Sequence, residues 1–266
     1  MLVANRAKRT YLDPMNRLSR AVTGLLILNV VLFVASVVPG WLGPLAEAGA
    51  LWFPANEHFG VWQVVSYMFL LADLGHLFFN MFALASFGTV LEREWGAGRF
   101  LVFYFVCGVG AALIQTGINW HEYTDLHARL VAAGMTPSEL GTLMATGEGL
   151  LPADPAGQAM VRDLYLAFHG RMVGASGAIY GLLVAFGCLH PNAKLALIFV
   201  PAPIAAKFFI PILLGLDLIS GVTGFSLFGA GVAHFAHLGG AAIGFLLMLL
   251  WRRPAPLPRW NEGQQV

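Results

Sequence analysis

The chain has 266 residues, 58% of them hydrophobic and only 11% charged, with a mean hydropathy of +0.72. A soluble domain usually carries about 45–50% apolar and about 25% charged residues, so this balance points to lipid rather than water as the solvent. The formal net charge of +1, without a basic run, gives no footprint for nucleic acid.

Taken in chain order, residues 1–20 read as a charged cytoplasmic tail. They are too long and too charged for a signal-peptide leader, and no small-x-small cleavage pattern follows Val38. A spanning helix needs about 20 mostly apolar residues. Six stretches meet or approach that length: 21–39, 64–90, 100–118, 172–189, 205–222 and 229–250. The fifth is the weakest, because Pro201, Pro203 and Pro211 interrupt it and Asp217 lies inside; 201–207 reads as an entry loop. Between the third and fourth spans, 119–170 is acidic and broken by Pro137, Pro152 and Pro155. There Thr136-Pro137-Ser138-Glu139 reads as a helix start, and the segment is expected to form short interfacial helices. Residues 251–266 form a second cytoplasmic tail. Cys107 and Cys188 read as small core residues, with neither a disulfide nor a metal site indicated.

Loop charge tests this count. With both termini inside, every Lys and Arg except Arg129, Arg162 and Arg171 falls on the cytoplasmic side, as the positive-inside rule requires. The insert 119–170 is then extracytoplasmic. The expectation is an all-α polytopic membrane protein, a bundle of six transmembrane helices over 21–250.

Polar groups at membrane depth are costly and usually face a bundle interior or a wet cavity. Here they are His76 and Asn80 in the second span, Ser176 and Tyr180 in the fourth, and His234 and His237 in the sixth, all in the outer half. Ser176 lies in Val173-Gly174-Ala175-Ser176-Gly177-Ala178-Ile179-Tyr180-Gly181. Alone, such a string is helix packing, since small residues let backbones approach in lipid. Gly174, Gly177 and Gly181 would pack, the last two meeting Gly240 and Gly244 on the sixth span. That approach would bring Ser176 to His237, itself read alone as a structural histidine. A serine hydroxyl needs a base within about 3 Å to become a nucleophile, and histidine suits that task near neutral pH. No carboxylate in the spans reads as placed to orient His237, so a Ser-His dyad is expected rather than a triad. Tyr180, one turn after Ser176, could pack its ring on the imidazole. His76 and Asn80 share a helix face and, with the Ser176 backbone N–H, would supply donors for a developing oxyanion. No metal or other cofactor is expected; His234 reads as a structural histidine or as a partner of His237.

Together His-x-x-x-Asn in the second span, Gly-x-Ser-Gly-x-x-Tyr in the fourth and Ala-His-x-Gly-Gly-x-x-x-Gly in the sixth resemble the rhomboid family. Further similarity runs through Trp62-Gln63 and Glu92-Arg93-Glu94-Trp95-Gly96-Ala97-Gly98-Arg99-Phe100. The resemblance implies a rhomboid-like six-helix core with a water-filled active-site cavity below the outer surface. It implies Ser176 as nucleophile, His237 as general base, Tyr180 stacked on that base, and His76 and Asn80 as oxyanion donors. Implied substrates are single-span membrane proteins, cut in or near the span, in contact with membrane lipid. The insert is longer than in compact bacterial members, and the basic N-terminus fits a bacterial inner membrane. Two other readings are a non-proteolytic rhomboid-like protein that binds membrane clients, and a transporter or channel. The presence of both serine and histidine weighs against the first, and confinement of the polar set to the outer half against the second.

Overall fold

The computed structural model describes residues 18–37, 43–197, 200–224 and 232–251. The tails, the last residues of the first expected span and the start of the sixth lie outside the described residues. The elements run α1 (Arg20–Val37), α2 (Gly43–Gly49), α3 (Gln63–Ser66), a 3-10 turn, then α4 (Leu74–Ala83), a π-helical turn and α5 (Thr89–Trp95). There follow α6 (Ala97–Ala132), α7 (Pro137–Thr146), α8 (Pro155–His169), α9 (Ser176–Leu189), the strands β1 (Lys194–Leu197) and β2 (Val200–Ala205), α10 (Ala206–Thr223) and α11 (His234–Leu250).

Among the described residues four helical stretches are long and apolar enough to cross a membrane: Arg20–Val37, Leu74–Trp95, Ala97–Ala132 and Ala206–Thr223. Ser176–Leu189 and His234–Leu250 are shorter apolar helices. At 1.5 Å per residue the 14-residue α9 is about 21 Å long, short of the roughly 30 Å hydrocarbon core. Its first residue can therefore lie well below one surface of the bilayer. α9 is also the most enclosed helix: Gly177, Ala178, Ile179 and the run Gly181–Phe186 are all buried. Such burial on every side marks the centre of a bundle.

Backbone proximity explains how that centre closes. A methyl group added at Gly240 would stand 1.8 Å from the Gly177 carbonyl oxygen, and one at Gly244 would stand 2.7 Å from the Gly181 α-carbon. α6 approaches from another side through Ala111 and Cys107, each 2.5 Å from where a Gly177 or Gly181 side chain would begin. Cys107 is fully buried, whereas Cys188 is exposed, so only the first is a core residue. Glu92 of α5 caps α1 by accepting the Ala21 and Val22 backbone N–H groups at 2.9 and 2.8 Å, which are among the donors a helix start leaves unpaired.

Several boundaries differ from the expected ones, each for a local reason. The second span starts at Leu74, not near 64, because Asp73 accepts the His76 N–H at 2.8 Å and caps the helix. Residues 63–69 instead form short helical turns. There Gln63, fully buried, donates to the Ala48 and His58 carbonyls (2.9 and 2.7 Å) and accepts the Trp52 N–H at 3.2 Å. The third helix does not stop at 118 but runs unbroken to Ala132, since the first glycine after Gly117 is Gly134, at φ 105°. The residues 201–205 expected in an entry loop pair as β2 with β1, Lys194 opposite Ala205 and Leu195 opposite Ile204.

The insert folds as three helices rather than as separate pieces on a surface. Leu126 and Leu130 of α6, Leu140, Leu143 and Met144 of α7, and Val161 and Leu164 of α8 form a core distinct from that of the membrane bundle. The expected start of α7 is present. Thr136 accepts the Glu139 N–H at 3.2 Å while Glu139 accepts the Thr136 N–H at 2.7 Å, a capping box with Pro137 in the first turn.

Candidate active site

Three helix starts converge. His76 lies in the first turn of α4, Ser176 begins α9, and His234 and His237 occupy the first turn of α11. The chain enters α9 through a strained approach. Met172 exchanges backbone hydrogen bonds with Leu51, and the Gly174 N–H donates to the Tyr67 carbonyl, each at 2.9 Å. Gly174 has φ 134°, a region that side chains avoid, and a methyl group there would stand 3.0 Å from the His76 Nε2 and 3.5 Å from the Ser176 Oγ. Gly174 thus precedes the helix and separates His76 from Ser176. Only Gly177 and Gly181, with Gly240 and Gly244, lie at the helix–helix contact.

His237 Nε2 lies 2.8 Å from Ser176 Oγ, although the two are 61 residues apart. The Tyr180 ring stacks on the imidazole, with centroids 4.2 Å apart and planes at 12°. On the other ring nitrogen, His237 Nδ1 is 3.1 Å from Asp217 Oδ1. A carboxylate only accepts, so Nδ1 carries the proton and Nε2 presents its lone pair to the serine hydroxyl. The expectation that no carboxylate would orient His237 is therefore corrected. Gly221 of α10 faces His234 and Phe235, so Asp217, one turn earlier on α10, stands level with the first turn of α11.

Asp217 is shared. It also lies 2.6 Å from His234 Nδ1 and accepts the Tyr180 hydroxyl, and its side chain is 1% exposed. The structure thus joins His234 to His237 through one carboxylate, their rings 6.2 Å apart and nearly perpendicular. The signal that would have found Asp217 was present: an acid in the outer half of an expected span, at the depth of the histidines.

His76 Nδ1 accepts the Ala72 N–H at 3.2 Å, which leaves Nε2 as the protonated, donating nitrogen on the side of Gly174. Asn80 is less committed to the site. Its amide donates to the His76 carbonyl of its own helix at 2.8 Å, and among the described residues its buried Oδ1 has no partner. One amide N–H remains to reach elsewhere.

Among the described residues Asp217, His234 and His237 each offer a ligand atom within 4.8 Å of the others. Two ligands on one tetrahedral zinc, bound at about 2.0–2.1 Å, would stand well over 3 Å apart. The 2.6 Å separation of His234 and Asp217 is instead that of a hydrogen bond. Chemically, the arrangement can pass the Ser176 proton to His237 as the oxygen attacks an electrophile, with helix-start N–H groups and His76 as donors to the resulting anion.

Among the described residues, apolar helices around a half-buried serine and histidine define a multi-pass integral membrane protein with a polar site between its helices. A rhomboid domain model matches residues 58–147 and 156–254, and the chain belongs to the rhomboid family. The chain is similar to RHOMBOID-like protein 12, mitochondrial, of Arabidopsis thaliana, at 28% identity over 64% of this chain and 40% of that protein. It is also similar to the Presenilin-associated rhomboid-like protein, mitochondrial, of Homo sapiens, at 26% identity over 91% and 53%. Rhomboid protease AarA of Providencia stuartii is 26% identical over 85% and 70%. The chain spans about half the length of the mitochondrial relatives it matches.

Proposed function

We propose that the chain is an intramembrane serine endopeptidase that hydrolyses peptide bonds in or near the spans of membrane proteins. Ser176 attacks the substrate carbonyl and His237 takes its proton, then returns it to the leaving amine. Water, deprotonated by His237, next cleaves the Ser176 ester to the free acid, and the proton returns to Ser176 Oγ. His76, the Ser176 N–H and the remaining Asn80 N–H receive the oxyanion. Tyr180 holds the imidazole by stacking. The observation that carries the reading is the 2.8 Å approach of Ser176 Oγ to a histidine nitrogen whose other nitrogen is protonated. The similarity to a relative named as a rhomboid protease adds to it.

The same reading sets the chain in a bacterial inner membrane with both termini cytoplasmic, and the site and insert at the outer side. Loop charge supports this, while the two mitochondrial relatives named above belong to a different membrane. Substrate must unwind locally before attack, because an intact helix keeps its carbonyls hydrogen-bonded.

The experiment is cleavage of a model single-span substrate by purified protein in liposomes, together with fluorophosphonate labelling. Wild type should cleave and label, and Ser176→Ala should do neither while keeping its melting profile. Equal turnover by that variant sinks the proposal. An unlabelled, inactive but folded wild type would favour a client-binding role instead.

A further inference from the structure

Asp217 is an expensive residue to hold inside an apolar bundle, and its surroundings show what it is bonded to. A buried carboxylate needs donors, and three are supplied: His237 Nδ1–H, His234 Nδ1–H and the Tyr180 hydroxyl. They come from two helices, α9 and α11, while Asp217 comes from a third. A purely structural anchor between α10 and α11 would need only His234. The additional bond to the nitrogen of His237 opposite the serine fixes the one ring state in which Nε2 can accept a proton.

We propose that Asp217 is a positioning residue for His237, forming a Ser176–His237–Asp217 relay in which His234 and Tyr180 hold the carboxylate in place. This rests on the protease reading above and extends it. During attack the Ser176 Oγ–H bond breaks and the proton moves to His237 Nε2, while the Oγ–carbon bond forms and the carbonyl π pair moves onto its oxygen as the oxyanion. The imidazolium so formed keeps Nδ1–H pointed at Asp217, which stays ionised and gains an opposite charge beside it. No proton passes to Asp217. Tyr180 then acts twice, through its ring on the imidazole and through its hydroxyl on the carboxylate.

An asparagine at 217 has the same shape but offers an N–H as well as an oxygen. Turned so that the N–H meets Nδ1, it selects the ring form with the proton on Nε2, which cannot accept from serine.

The test uses full-length protein in detergent or nanodiscs with 15N-labelled histidine. In wild type the His237 signals should report a protonated Nδ1 and a bare Nε2, and His237→Gln assigns them. Asp217→Asn should lower kcat by roughly 10²–10⁴-fold with KM changed little, and should move the His237 proton to Nε2. Tyr180→Phe, which keeps the stack and loses the hydroxyl, should cost far less than Asp217→Asn. A wild-type spectrum with Nε2 protonated overturns the inference even if the Asp217 variant does not fold. So does a folded Asp217→Asn variant whose kcat per folded molecule matches wild type. Wild type that neither cleaves nor labels defeats the protease reading itself, which is a separate result.

Discussion

At the scale of single residues the site depends on which nitrogen carries a proton. The Ala72 N–H on His76 Nδ1 makes Nε2 of that ring a donor, whereas Asp217 on His237 Nδ1 makes Nε2 of the other ring an acceptor. Two histidines near one serine are thus given opposite tasks by their neighbours. His76→Ala should lower kcat by about 10²–10³-fold with little change in KM, the usual cost of removing an oxyanion donor, measured on the liposome substrate. An equal loss in KM would mean that His76 serves substrate binding. Gly174→Ala should also impair turnover, since it combines a strained φ with a methyl group against the His76 ring. Ser176, His237 and His76 were legible in the sequence because a polar residue inside an apolar run needs a reason. Asp217 was not, because it lies on a different helix from His237 and no carboxylate in the spans reads as placed to orient that ring. What brings it to His237 is the antiparallel return of α10 into α11, which no spacing within one helix reveals.

At the scale of helices, two positions of the same residue type should behave oppositely. Gly240→Ala puts a carbon 1.8 Å from the Gly177 carbonyl. Overpacking usually costs about 1–3 kcal/mol, and a backbone neighbour that cannot rotate away sets the cost at the upper end. Gly215→Ala on α10 meets nothing within 4 Å among the described residues and should be neutral or gain a few tenths of a kcal/mol from helix propensity. Thermal unfolding of the two variants in one detergent checks the contrast. α7 offers a pH test. Hydrogen bonds from the Thr136 backbone and hydroxyl hold the Glu139 carboxyl below its ordinary range. A depressed value in the folded state means that the stabilisation is present above the ordinary glutamate value of about 4.3 and is lost as pH falls through the lowered one. Protection factors in the first turn of α7, with the intrinsic pH dependence of exchange divided out, should fall on acidification, and less so in Glu139→Gln. The start of α7 could be read from Thr-Pro-Ser-Glu alone, because a capping box is local chemistry. The length of α6 could not: Asn119 to Ala132 is polar enough to look like a loop, and only Leu126 and Leu130 packing on α7 and α8 make it helix.

At the scale of the molecule the bundle and the insert, each with its own core, share one rod. α6 spans 36 residues, about 54 Å at 1.5 Å per residue, so it serves the bundle with one half and the three-helix insert with the other. Leu164 is fully buried in the second core, and Leu164→Ala should cost about 2–5 kcal/mol there. Hydrogen exchange should show α7 and α8 opening while α9 and α11 stay protected. Loss of protection throughout would mean that the two cores fold as one. The six-helix plan was legible because each span needs its own apolar run. The second core was not, because its leucines are scattered through an acidic, proline-broken stretch that resembles surface.

The 61-residue gap between Ser176 and His237 also has a meaning in time. Helices enter the membrane in the order of synthesis, so the serine arrives with α9 while its histidine waits for α11. Until that last helix lies against Gly177 and Gly181, the hydroxyl has no base and stays inert. On the proteolytic reading proposed above, a half-made chain therefore threatens none of the membrane proteins being inserted beside it, and translation itself acts as the safety catch.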